Sequence, residues 1–309
     1  MQFKTFGKTG WDVSAIGLGT WNIGNQWGEI DDVTAYATIH AAIDSDMNLI
    51  DTADAYGIPV GLSEQRLGRA LGGIRHQLYV VSKVGNWARR AGHPLPFTSA
   101  EHVRLCIHAS LGRLRTDYLD VSLCHIANLD DPTHYLEGFE RLVAEGAIRA
   151  YGISTNSLEV LKRFNVNGGC SVVQVDYSLL NRQPEAEFLP YCQEQNIGVM
   201  IRGPLAKGVL SGRYDAASTF TDTVRQGWND EGAAREKFLT QVKQVDNLKS
   251  IVQPGGEMVT AALRYTFSHP AVSTAIPGAK SPEQARMNAA AGERLLTEEE
   301  RNRWVAALG

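Results

Sequence analysis

Asn48-Leu49-Ile50-Asp51-Thr52-Ala53-Asp54-Ala55-Tyr56-Gly57 is a short apolar run that ends in a carboxylate and opens into a polar, glycine-terminated loop. A run of this kind, bounded by turn residues and followed by a helical period over 64–71, is the strand and loop of a βα unit. Outward from it the pattern repeats. Strands are expected at 15–18, 48–51, 78–82, 119–124, 150–153, 172–175, 198–201 and 273–276. Between and after them lie expected helices at 33–45, 64–71, 100–114, 132–145, 158–164, 187–195, 258–268 and 282–291. Helix 100–114 carries Val103, Ile107, Leu111 and Leu114 at three- and four-residue steps, one apolar stripe, with Ser99 as its N-cap.

Eight alternating units predict an α/β fold, a (β/α)8 TIM barrel. The rival is an open doubly wound sheet, which would place Gly-x-Gly-x-x-Gly after its first strand. Here Gly17-Leu18-Gly19-Thr20-Trp21 lacks the third glycine and runs into a polar loop. Three pieces lie outside the repeat: an N-terminal hairpin over 3–14 around Lys8-Thr9-Gly10, a polar insertion over 211–253 with a helix of its own, and an extra C-terminal helix at 297–308. No Pro- or Ser-rich linker divides the chain, so 1–309 is expected to be a single domain.

The 309 residues carry 30 Lys and Arg against 34 Asp and Glu, a formal net charge of −4. A mildly acidic chain without a clustered basic face gives no reason to expect nucleic acid. No apolar run approaches the ~20 residues that span a bilayer, and the N-terminus lacks the apolar stretch of a secretory signal. Cys106, Cys124, Cys170 and Cys192 have no Cys-x-x-Cys spacing and no nearby histidine that completes a zinc pattern, so they are expected as buried free thiols, and no metal is expected. A soluble, cytoplasmic protein follows.

In a barrel of this kind reactive groups gather where the strands end. Strand two ends at Asp51, with Tyr56 in its loop; strand three runs into Lys83; strand four runs into His125. Taken singly, each has an ordinary role: a solvated lysine, a core histidine, an aspartate capping a turn. Together, a carboxylate, a phenol, an ammonium and an imidazole converge on one rim and suit carbonyl reduction. A hydride arriving at carbon leaves negative charge on oxygen, which needs a proton donor. Tyr56 can donate. Lys83 favours the phenolate and lowers the phenol's pKa, Asp51 holds the lysine charged, and His125 orients the substrate oxygen. Alcohol oxidation uses the same groups. Asp54 is expected to be a structural hydrogen-bonding residue.

At these residues the chain resembles the aldo/keto reductases over nearly its whole length. The resemblance rests on Gly17-Leu18-Gly19-Thr20-Trp21, on Asp51 to Gly57, on Ser82-Lys83, on Leu111 to Asp120, on Pro204 to Gly212 and on Ile276-Pro277-Gly278. It is similar to the bacterial branch near the potassium-channel β subunits and the general-stress and inositol-operon reductases. The resemblance implies that Asp51, Tyr56, Lys83 and His125 are the catalytic tetrad, with Tyr56 as general acid/base.

The resemblance also implies a nicotinamide dinucleotide lying over the barrel mouth. Thr20, Trp21, Ser154 and Gln174 match positions around the nicotinamide, and Asp51 lies beneath it. Arg202, Gly203, Pro204, Leu205, Ala206 and Lys207 match the stretch along nicotinamide and pyrophosphate, and Arg213 a position that neutralises phosphate. The chain has Ser154-Thr155-Asn156 where many relatives have Ser-Asn, and Arg202 where an aromatic often stacks on the nicotinamide. Gly278, Lys280, Ser281, Gln284 and Asn288 match the adenosine end. Lys280 and Ser281 favour the 2′-phosphate of NADP(H); Gly278 and Gln284 stand where strongly NADP-selective relatives have Lys and Arg, so NAD(H) use stays open.

Trp21, Trp87 and Trp228 are expected in loops at the mouth, with Trp87 the foremost candidate to touch substrate. The 211–253 insertion is expected as a lid over the cofactor, against a surface or subunit contact. Partners are a small carbonyl or alcohol substrate; the oligomeric state, the direction of reaction and the substrate itself stay open. Two other functions fit parts of the pattern: a cofactor-binding regulatory subunit with low turnover, and a barrel lyase using Lys83 as a Schiff-base nucleophile.

Overall fold

A computed structural model describes residues 1–93, 96–252 and 255–308. The insertion's expected end, Gln253, and the last residue of the expected domain, Gly309, lie outside the described residues.

Two antiparallel strands, β1 (Phe3–Thr5) and β2 (Asp12–Ser14), form the N-terminal hairpin, with Phe3 opposite Ser14. Then come β3 (Leu18–Gly19), β4 (Leu49–Asp51), β5 (Tyr79–Val84), β6 (Leu119–Cys124), β7 (Ile148–Ser154), β8 (Val172–Asp176), β9 (Gly198–Arg202) and β10 (Thr274–Ala275). These eight pair in parallel, in chain order, from β3 to β10. Ile16 and Ala275 form a parallel bridge, as do Gly19 and Gly278, so the last strand meets the first and the sheet curls closed. The outermost expected strands, 15–18 and 273–276, shrink to two residues each. Closure there is carried by isolated bridges such as Gly17 N to Ala275 O (2.8 Å) rather than by a continuous ladder.

Helices α1 (Asp32–Ile43), α2 (Leu62–Ala70), α3 (Trp87–Arg90), α4 (Ala100–Leu114), α5 (Thr133–Ala144), α6 (Leu158–Phe164), α7 (Phe188–Glu194), α8 (Ala233–Leu248), α9 (Gly256–Phe267), α10 (Pro282–Ala291) and α11 (Glu298–Leu308) complete the order. Ser99 caps α4, its Oγ accepting from His102 N. The expected helices match within a few residues; α3 is an addition the sequence did not announce. Four residues are too short for any period to register.

The packing has two layers. Strand side chains facing outward join the helices in one large core, while Leu49, Val81, Val121, Leu123, Val172 and Met200 fill the barrel's interior. Phe6 and Val13 of the hairpin join that interior cluster and plug the end opposite the strands' carboxyl ends. Gly7 makes the plug fit. Its φ is +52°, and a Cβ there would lie 2.1 Å from Gly198 N. The insertion has a core of its own, in which Trp228 stacks on Phe238 of α8 at 4.9 Å and Phe220 meets both rings. Cys124, Cys170 and Cys192 are buried thiols; Cys106 is half-buried, on the rim of α4's inner face.

Candidate active site

Four strand ends build the site. Hydrogen bonds continue past β4: Thr52 N donates to Val81 O (2.8 Å) and Asp54 N to Lys83 O (3.1 Å), which zips the Asp51–Tyr56 loop along β5. His125 N donates to Val84 O (2.9 Å), fixing the residue after β6 the same way. The backbone ladder therefore delivers the side chains, and little is left to loop chance.

Lys83 is fully buried, and its Nζ donates to Asp51 Oδ1 (2.7 Å) and Oδ2 (2.8 Å), to Thr52 O (2.7 Å) and to Tyr56 Oη (3.2 Å). An ammonium has three protons and no lone pair. Here they serve the carboxylate, one carbonyl and the phenol. Gln174 Nε2 donates to Asp51 Oδ1 at 2.8 Å, giving the buried carboxylate a second donor. Trp21 stacks on Tyr56 with centroids 5.8 Å apart, and His125 meets the same ring edge-on at 6.0 Å. Asp51, Tyr56, Lys83 and His125 thus come together, with Tyr56 and His125 half-exposed to the cleft above.

Burial sets the direction of most shifts. It pushes the Tyr56 phenol above its ordinary value, with Lys83 pulling down and Asp51 pushing up. Lys83 pulls the phenol's pKa down as expected, but desolvation outweighs the cation, so the net direction is upward and Tyr56 holds its proton at neutral pH. Lys83 is raised, burial being overcome by Asp51 and Tyr56, so it stays charged. Burial pushes Asp51 upward against Lys83 and Gln174. Burial drives His125 well below the usual imidazole value, helped by Lys83, Arg202 and Arg90, so its ring is neutral. Its Nδ1 has no partner among the described residues. Asp54 is buried as well, accepts from Gly85 N (3.2 Å), and is pushed up to about 7, first by desolvation and then by Glu64.

Above this cluster a cleft of about 1710 Å³ is lined by Trp21, Ser154, Gln174, the segment 202–207, Arg213, Gly278, Lys280, Ser281, Gln284 and Asn288, along with Asp51, Tyr56 and His125. Thr20 is the exception among the expected positions. It is fully buried, its Oγ1 donates to Asp51 O (2.9 Å) and accepts from Ser63 Oγ (2.8 Å), and it does not reach the cleft. Trp87 is likewise off the cleft lining: its ring lies under the Arg113 guanidinium (4.3 Å) and against Gly61. The lining instead includes Trp27, whose indole is edge-on to Trp21 at 5.2 Å. The wall of tryptophans is thus Trp21, Trp27 and Trp228, where Trp21, Trp87 and Trp228 are expected; the short helix α3 turns Trp87 away.

Several side chains at the far end are already engaged. Ser281 Oγ caps α10, accepting from Gln284 N; Gln284 Oε1 accepts from Lys280 N (2.9 Å); Asn288 Nδ2 donates to Gly278 O (3.2 Å). Lys280 Nζ donates to Trp27 O at 2.8 Å. Arg202 Nη2 donates to Asn156 Oδ1 (2.9 Å), which gives Asn156 a partner the sequence did not predict. After β9, Ala206 (φ +47°) and Lys207 (φ +55°) both adopt left-handed backbone, a conformation that costs a side-chain-bearing residue about 1–3 kcal/mol and gathers at binding sites. The insertion crosses the cleft: Thr223 Oγ1 donates to Gln26 O (2.9 Å), and Arg225 lies over the Trp27 ring at 5.3 Å.

Comparison with known proteins agrees with this architecture. The sequence model described as "Aldo/keto reductase family" matches residues 15–308. The aldo-keto reductase YhdN of Bacillus subtilis (strain 168) is 33% identical over 298 residues, 92% of this chain and 86% of that protein. Among solved structures, the holo form of aldo-keto reductase AKR11C1 from Bacillus halodurans superposes with a TM-score of 0.83 at 30% identity, covering 100% of this chain and 96% of that one. An aldo-keto reductase from Klebsiella pneumoniae in complex with NADPH gives a TM-score of 0.72 at 32% identity, covering 98% and 94%.

Proposed function

The chain belongs to the aldo/keto reductase family, and from that membership we propose that it interconverts aldehydes or ketones and alcohols with a nicotinamide dinucleotide, NADP(H) before NAD(H). The observation that carries the reading is the buried Lys83 ammonium shared between both oxygens of Asp51 and the phenol of Tyr56.

When bound over the barrel mouth, a reduced nicotinamide would supply the hydride. Tyr56 supplies the proton. Because Lys83 has no lone pair, Tyr56 Oη can only accept from it, so the phenolic O–H is free to point into the cleft at a substrate oxygen. As the proton leaves, the phenolate forms beside a cation that is already in place, which lowers the cost of the transfer without reorganisation. Asp51 keeps that cation charged, and the Gln174 hydrogen bond favours the ionised carboxylate against its burial. Neutral His125 donates a hydrogen bond that orients the carbonyl. In the oxidising direction Tyr56 returns as the base.

The residues fit the dinucleotide. The cleft is larger than the ~300–1,000 Å³ usual for one small ligand, at about 1710 Å³. The indole N–H groups of Trp21 and Trp27 are buried without an acceptor among the described residues, donors left for a guest. Ser154 and Gln174 would hold the carboxamide, 202–207 and Arg213 the nicotinamide and pyrophosphate, and Lys280, Ser281, Gln284 and Asn288 the adenosine end, with the 211–253 insertion as cover. Thr20 acts beneath this surface by holding Asp51's backbone. A Schiff-base role for Lys83 is disfavoured, since its three protons are all committed and a nucleophilic amine needs a free lone pair.

The test is a panel of aldehydes and ketones in which oxidation of NADPH and NADH is followed by absorbance, with Tyr56→Phe alongside. Turnover that falls about 10²–10⁴-fold in Tyr56→Phe supports the reading. Tight cofactor binding with no oxidation by any carbonyl would replace it with a regulatory subunit.

A further inference from the structure

We propose that the carbonyl compound accepted here carries an anionic group, a carboxylate or a phosphate, received by Arg90 and Arg89 on the His125 side of the cleft. The inference rests on the reductase reading and names its substrate class.

Among the described residues nine Lys and Arg side chains line the cleft against three carboxylates, in a chain whose overall balance is 30 against 34. The acidic excess of the whole molecule is reversed at its mouth. The three carboxylates do little to offset it. Asp51 is paired with Lys83, Asp176 lies 3.8 Å from Arg202, and Glu283 is on α10 at the opposite end. The dinucleotide accounts for part of the positive charge. Lys207, Arg213 and Lys280 lie on the segments assigned to its phosphates, and Arg225 is held by Asp222 at 2.8 Å.

Arg182 is paired with Glu185 at 3.5 Å, and Lys237 lies on α8 of the insertion. Arg89 and Arg90 remain, and they stand elsewhere. They end α3, which follows β5 directly, and both line the cleft with exposed side chains. The start of that segment is tied to the imidazole-bearing residue: Asn86 Nδ2 donates to His125 O at 2.8 Å, and Arg90 N donates to Asn86 O at 3.0 Å. The charge of Arg90 is felt at His125, where it adds to Lys83 and Arg202 in keeping the ring neutral. Neither guanidinium has an ion-pair partner among the described residues. Two unpaired forks beside the proton-delivering groups match a carboxylate or phosphate in shape and charge, and draw such a molecule into the mouth.

Two matched pairs test this with the wild-type enzyme and reduced cofactor: succinic semialdehyde against butanal, and glyceraldehyde 3-phosphate against glyceraldehyde. The expected result is a kcat/KM at least about tenfold higher for the charged member of one pair at low salt, with the gap closing as salt rises. In Arg89→Gln/Arg90→Gln the charged-to-neutral ratio falls toward one, and the pair that shows the larger change distinguishes carboxylate from phosphate. Neutral members reduced as well as their charged partners in both pairs, or a ratio unmoved by the double substitution or by salt, overturn the proposal while leaving the reductase reading intact. If neither member of either pair oxidises the cofactor, the reductase reading fails and this one with it.

Discussion

Lys83 Nζ stands 3.2 Å from Tyr56 Oη while both oxygens of Asp51 hold the same ammonium from below, at 2.7 and 2.8 Å. The cation is therefore fixed before any substrate arrives. Its position decides which way the phenolic proton points, and its charge decides what the phenolate costs.

Lys83→Met tests that relationship. The substitution keeps most of the side chain's volume, leaves Asp51 buried without its cation, and removes the charge beside Tyr56. Carbonyl reduction is expected to fall about 10²–10⁴-fold in kcat. Steady-state rates above the unfolding transition's onset would mislead, so Tm is measured in parallel. Activity within tenfold of wild type would remove the ammonium from the mechanism.

The neutral ring of His125 gives a second expectation. Its folded pKa is depressed well below the ordinary imidazole value. Above that folded value the ring is neutral, so kcat/KM has no step near pH 6.5. The unfolded chain takes up this proton as pH falls through about 6.5 and the folded chain does not, so stability falls below that point. His125→Gln is expected to flatten that part of the stability profile. An NMR titration showing His125 protonating near 6.5 would contradict both statements.

Asp54 has the opposite sign. Its folded pKa is raised to about 7 by burial and by Glu64. Between about pH 4 and 7 the folded protein holds a proton that the unfolded chain has released, so stability contributed by this group is lost as pH rises through 7. Asp54→Asn can still accept from Gly85 N and carries no buried charge. It is expected to raise Tm at pH 8, with an upper bound on the order of 4 kcal/mol, and to leave Tm near pH 4 little changed. A lower Tm at pH 8 would mean that the ionised carboxylate is stabilising.

The legibility of this molecule divides along a physical line. Strand ends were readable because an apolar run that stops at Asp51, Lys83 or His125 leaves a reactive group wherever the parallel ladder ends. Trp87 was not, since its direction depends on α3, four residues whose fold comes from their packing on Gly61 and Arg113 rather than from any period. The phenol's net shift was missed for a related reason. Sequence adjacency supplied the cation, while the depth of burial that overrides it exists only after the barrel closes. Trp27 carries no motif at all, and Asn156 stands one step past the relatives' Ser-Asn, where nothing in the sequence announces its bond to Arg202.

Phe6→Ala separates stability from chemistry. Phe6 is fully buried with the interior cluster at the plugged end, far from the strand ends that carry Tyr56. Removing the ring opens a cavity where the hairpin cannot collapse, at about 3–5 kcal/mol. Well below the lowered Tm, kcat/KM is expected to match wild type, because the carboxyl end of a barrel carries function and the other end stability. A kinetic loss at a temperature where the variant is fully folded would show that the plug tunes the mouth.

Lys280 bears on the cofactor. Its ammonium donates to Trp27 O at 2.8 Å, and its backbone N donates to Gln284 Oε1, so it bridges the first loop and α10 across the adenosine end. To bind a 2′-phosphate, the ammonium must leave that carbonyl or share a proton with it, so part of the charge–charge gain is offset by the bond given up. Lys280→Met is therefore expected to raise KM for NADPH by about tenfold, near 1.4 kcal/mol, and to change KM for NADH by less than about twofold. Equal increases for both cofactors would assign Lys280 to holding the Trp27 loop, with the 2′-position left unread by this side chain.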